Sequence, residues 1–119
     1  MNKEIKCYVK NCKKQLDIAR KDIDQKITKK NNKLYDDYKK HKISQKEFIK
    51  QAVKNNKKLF DSIQSINVHK CQLDKCYKYV KKRLDREADI INYKKKRNYT
   101  IEDYIKIYRT LFMKNIKKI

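Results

Sequence analysis

Two short stretches decide the fold: CYVKNC, with Cys7 and Cys12 at its ends, and CQLDKC, with Cys71 and Cys76. The positions sum to 83 in two ways, 7 with 76 and 12 with 71. A chain that doubles back near residue 41 or 42 produces this symmetry. At that point stands HKISQKEF, His41 to Phe48, which carries a helix start. Ser44 as N-cap and Glu47 three residues on form a capping box, and Ile43 with Phe48 forms a hydrophobic staple. The pattern predicts an all-α fold. Residues 1–97 form a long antiparallel helical hairpin with its turn near 41–44, pinned at the far end by paired cysteines. Residues 98–119 form a C-terminal amphipathic docking helix.

Periodicity fills in the arms. Ile5, Val9, Cys12, Leu16, Ala19 and Ile23 step by four and three, so residues 5–38 read as one amphipathic helix. Phe48, Ala52, Leu59, Ile63, Ile66, Leu73, Tyr77, Val80, Leu84 and Ile91 carry the second, with a break allowed around Ser65–Val68. Unbroken, it would be ~70 Å long. The last element repeats the start device, with Thr100 as cap, Asp103 closing the box, and Tyr99 and Tyr104 as staple. Its apolar face includes Tyr104, Tyr108, Leu111, Phe112 and Ile116, the candidate interface residues, since so wide a stripe is unfavourable in water. A faint repeat at an offset of 64 matches Cys7 to Cys71 and Cys12 to Cys76, as one helix-end module used twice.

Composition agrees with the all-α reading. The 119 residues contain neither glycine nor proline, which strips out the usual punctuation of loops and β-turns. The net charge is +21, spread as about +8 over residues 1–44, about +6 over 45–93 and about +7 over 94–119. A uniform positive field favours polyanions or acidic protein surfaces. The N-terminus MNKEIKCYVKNCKK lacks the apolar core of a secretory signal, and no run of 18 apolar residues predicts a membrane span.

Three readings of the cysteines stand side by side. Cys7–Cys76 and Cys12–Cys71 disulfides would join antiparallel helices, closing loops of about 60 to 70 residues and adding ~4 kcal/mol. A Cys₄ zinc site is the second, since two helix ends can present four thiolates; zinc is thus the one cofactor considered, with none expected if the cysteines are oxidised. Free thiols, some buried as small apolar groups, are the third. Geometry resists the first unless the helix unwinds locally or begins after Cys7: five residues turn a continuous helix by ~500°, leaving paired cysteines ~140° apart. His41 and His69 could each serve as a metal ligand, but isolated histidines near helix ends read first as solvated residues. The sequence carries no catalytic Ser/His/Asp or Cys/His pattern and no phosphate-cradling glycine loop, so no enzyme is expected and no catalytic residue is named.

The Lys-rich chain with its two C-x₄-C helical segments, Cys7–Asp17 and Cys71–Asp85, resembles short paired-cysteine helical virion proteins of nucleocytoplasmic large DNA viruses. It also resembles, more weakly, the twin-cysteine hairpins of mitochondrial CHCH proteins, whose cysteine spacing differs. The viral resemblance implies a minor capsid or cement protein in the virion that bridges larger coat subunits, with thiol oxidation supplied by the virus. Its partners would be other proteins of a large assembly, with acidic or grooved surfaces. The alternatives are a sequence-independent nucleic-acid-condensing protein in a nuclear setting, with Lys94, Lys95, Lys96 and Arg97 as its best basic patch, and an accessory subunit of a mitochondrial assembly.

Overall fold

The computed structural model describes residues 2–118, which form helices joined by turns and short connections, with no strand among them. The first arm consists of α1 (Lys3–Asn11), α2 (Lys13–Ile23), a π-helical turn (Asp24–Thr28) and α3 (Lys29–Lys39). The second consists of α4 (Gln45–Asp61), α5 (Ile63–Lys75) and α6 (Tyr77–Ile90), and the chain ends in α7 (Ile101–Ile116). The arms run antiparallel. Tyr38 stacks on Phe48 at 4.5 Å beside the turn, Asn55 donates to Asn31 at 3.1 Å midway, and the cysteines pair at the far end.

Disulfides join Cys7 to Cys76 and Cys12 to Cys71, each with a Cα–Cα separation of 6.0 Å. The helices give way to allow it. Cys12 (φ −125°, ψ 15°) divides α1 from α2, and Cys76 (φ −127°, ψ 28°) divides α5 from α6. The ladder continues through both kinks, Cys12 N–H to Tyr8 O at 2.7 Å and Cys76 N–H to Gln72 O at 2.9 Å. One non-helical residue in each pair thus removes the rotation that would point the two sulfurs apart. The repeat at offset 64 is a real structural repeat, a kinked module used twice around a local pseudo-two-fold axis. Cys7 Sγ lies 3.6 Å from Lys75 O, and its counterpart Cys71 Sγ lies 3.6 Å from Asn11 O.

The kinks also correct the helices expected from periodicity. Neither arm is one rod, and the longest dimension of the molecule is 45 Å. The second arm breaks at Ser62 (ψ 144°), three residues before the expected place, and Ser62 caps α5 by accepting from Ser65 N–H at 3.1 Å. In α1 the buried side is Glu4, Cys7 and Tyr8, whereas Ile5 and Val9, read as core, are each 50% exposed. The stripe assumed an unbroken helix, and the kink at Cys12 rotates α1 away from that phase.

Glycine's usual places are taken by other residues. His41 (φ 58°) and Asn92 (φ 56°) hold the left-handed conformation just past α3 and α6. Each closes a Schellman motif: Lys42 N–H reaches Asp37 O and His41 N–H reaches Tyr38 O, while Tyr93 N–H reaches Ala88 O and Asn92 N–H reaches Asp89 O. Ser44 caps α4 through Glu47 N–H at 3.1 Å, but the Glu47 carboxylate accepts from Gln51, leaving that box half made. The Thr100–Asp103 box is complete.

The main core sits at the cysteine end, where Leu73, Cys76, Val80, Leu84 and Ala88 meet Tyr99, Tyr104 and Ile107. The connection after α6 runs back along that helix, since Tyr77 donates to Arg97 O and accepts from Tyr99 N–H. α7 then packs across α4, α5 and α6.

Candidate functional site

Under α7 lies a buried polar network built from four helices. Arg83 on α6 donates through Nε to Glu4 on α1, and through Nη2 to Tyr8 OH at 2.8 Å and Tyr104 OH at 2.6 Å. Tyr104 donates in turn to Gln72 Oε1 at 2.8 Å, and Tyr8 donates to Glu4. Arg83 also lies 5.3 Å over the Tyr104 ring and 5.2 Å over that of Tyr108, a cation–π arrangement. Burial, reinforced by the bond to Glu4, pushes the Tyr8 phenol well up, so it stays a neutral donor. The network ties α1 to α5, α6 and α7, and its groups are spent on one another.

Ser65 Oγ and His69 Nε2 are 3.1 Å apart, a distance compatible with a nucleophile and its base. However, Ser65 is only 6% exposed, and no carboxylate or other group bonds His69 Nδ1 to orient the ring. His69 is thus not the solvated residue expected from the sequence: its imidazole packs 4.3 Å from the Tyr104 ring, and burial lowers its pKa to about 4. The pair reads as part of an aromatic core with Phe60, Tyr104 and Tyr108.

Of the candidate interface residues, Tyr104 and Ile116 face the interior of the chain itself, at 3% and 5% exposed. Tyr108, Leu111 and Phe112 are half-buried. The basic connector is exposed but partly committed. Lys95 pairs with Asp89 at 3.0 Å, and Lys96 with Asp103 at 2.6 Å. Burial opposes charge on Asp103, yet Lys96, Tyr93 and the Thr100 cap outweigh it and hold the carboxyl well below its usual range. Lys94 and Arg97 keep their charged ends in solvent. The four cysteines are gathered at one end as two disulfides, and sulfur so bonded offers zinc no thiolate. Among the described residues no three His, Cys, Asp or Glu come together as a metal site.

The lysines lie at the surface. Two acids, Glu4 and Asp103, are buried, paired with Arg83 and Lys96 respectively, and no described lysine is buried. Sequence reasoning missed the Glu4–Arg83–Tyr104 network, because residues 4, 72, 83 and 104 share no local pattern. A weak signal existed in Arg83, an arginine where lysine is the norm, placed where a planar fork serves several acceptors. Compared with models of known protein families, with curated proteins and with solved structures, the chain matches none.

Proposed function

We propose that this chain is a non-enzymatic structural protein of a large assembly, a disulfide-locked basic clip seated between larger subunits with acidic surfaces. The setting implied by its sequence resemblance is the capsid of a large DNA virus, where it would act as a cement component. The observation that carries the reading is the exposure of the lysines: no described lysine is buried, so the net charge of +21 is displayed on the surface. Such a surface is self-repelling and is neutralised by a complementary one. The double cross-link supports the same reading, because it lends rigidity to a small domain and requires a setting that oxidises thiols. No helix among the described residues is long and apolar enough to cross a membrane.

Nucleic-acid condensation is the second reading, favoured by the solvent-facing Lys94 and Arg97 and opposed by the internal pairing of Lys95 and Lys96. A mitochondrial accessory role would use the same rigid basic surface. Fractionation with cross-linking mass spectrometry tests these. The assembly reading expects the native protein to sediment with a protein shell after nuclease treatment, its lysines cross-linked to acidic segments across an interface above ~1,000 Å². Release by nuclease, with retention on duplex DNA at physiological salt, would replace it with the second reading.

A further inference from the structure

The middle of the hairpin is only two helices thick. From residue 20 to 47 and from 49 to 64 no residue is fully buried apart from those bounding ends, Ala19 and Phe48. Higher up, α7 supplies the third helix that closes the core against α4, α5 and α6. Below it, two clefts of about 410 and 350 Å³ run end to end between the arms, sharing Lys30 and Lys58. Their floor is aliphatic and half-buried: Ile23, Ile27, Leu34 and Leu59. Their rim is predominantly basic: Lys26, Lys30, Lys33, Lys54 and Lys58 outnumber Asp22 and Asp37, and Lys26 pairs with Asp22 at 3.0 Å, leaving the other four lysines.

Two irregularities face each other across the upper cleft. The π-helical turn Asp24–Thr28 contributes Gln25, Lys26 and Ile27, and the break between α4 and α5 contributes Ser62. A π turn widens a helix locally, and such turns cluster at functional sites. We infer that this groove receives an acidic amphipathic helix of a partner protein, its apolar side on the aliphatic floor and its carboxylates on the lysine rim. The inference rests on the assembly reading and names the contact through which it operates.

The lining chooses among occupants. Single-stranded nucleic acid is held by aromatic platforms, yet neither cleft is lined by an aromatic residue or an arginine, in a chain with nine Tyr and three Phe. A second copy would set one lysine rim against another on chains of +21. An acidic helix satisfies both floor and rim, in the familiar helix-in-groove mode. From Asp22 to Asp37 the groove is about 20 Å long, enough for a helix of about 14 residues.

Fluorescence anisotropy on the full oxidised chain provides the test. The probe is a labelled synthetic helical peptide of about 14 residues, with leucines on one face and glutamates flanking them. A scrambled peptide of the same composition and a short duplex DNA serve as comparators. The patterned peptide should bind at least about tenfold more tightly than the scrambled one, and Lys30→Glu with Lys58→Glu should abolish that preference. Lys94→Glu with Arg97→Glu makes the same charge change on the connector and should leave the preference intact. Equal loss from both double variants would mean attraction by net charge alone and would overturn the groove, though not the assembly reading. Absent peptide binding in a chain that still sediments with its assembly would do the same. A chain that does neither sinks both, and tighter groove binding by the duplex would give the groove to nucleic acid.

Discussion

His41 and Asn92 show what a glycine-free chain gives up. Each sits where the Schellman motif needs positive φ, a conformation that disfavours a side chain with Cβ by about 1–2 kcal/mol, less for Asn. His41→Gly should therefore stabilise the fold by ~1 kcal/mol, after the added freedom of the unfolded chain, and Asn92→Gly by only a few tenths. Denaturant midpoints with an unchanged slope would check both. A second residue-scale consequence concerns His69. Its folded pKa is lowered to about 4, so between its ordinary value of 6.5 and 4 the unfolded chain holds the extra proton. Stability should thus fall as pH drops through that window, by up to about 3 kcal/mol, and be fully present above it. Chemical denaturation from pH 7 to 4 should show the decline, and His69→Phe should flatten it.

Elements were legible where their ends carry local chemistry. The caps at Ser44 and Thr100 are both present, and the turn lies where the paired cysteines placed it, because each rests on residues within one or two turns. The two caps are unequal. Ser44→Ala removes one bond from a half-made box and should destabilise by ~1 kcal/mol. Thr100→Ala removes the cap bond and also the hydroxyl bond to the buried Asp103 carboxylate, and should cost about 2 kcal/mol, as thermal unfolding of the two variants would show. The kinks were less legible. Periodicity assumes an unbroken helix, so it gave Ile5 and Val9 the wrong side of α1; the cysteine spacing required local unwinding, or a helix starting after Cys7, only on the disulfide reading. The groove was invisible for a different reason: it arises from what the middle of the hairpin fails to bury, and from a π turn with no sequence signature.

At the scale of the molecule, the core depends on its last helix. Tyr99, Tyr104 and Ile107 are buried against Leu73, Val80, Leu84 and Ala88, at about 1.5–3 kcal/mol for each large side chain. A chain ending at residue 97 should lose the sharp thermal transition and bind a hydrophobic dye, even with both disulfides formed. An unchanged transition would mean that the cysteine end holds itself together. The basic surface belongs to this scale too, since no single segment produces it and no local motif announces it.

The two disulfides are concentric: the bond spanning 59 positions lies inside the one spanning 69. Concentric ties are partly redundant. Either alone restricts the unfolded chain by about 4 kcal/mol, but the other then closes only a ring of about ten residues, worth about 3 kcal/mol. Replacing one pair with alanine should therefore destabilise by about 3 kcal/mol, and replacing both by about 7, a coupling that a double-mutant cycle on the two pairs would measure. Strict additivity would show that each bond acts on its own surroundings rather than on the shared loop. With the ties coupled, the chain tolerates the loss of one bond during maturation or damage, and fails abruptly at the second.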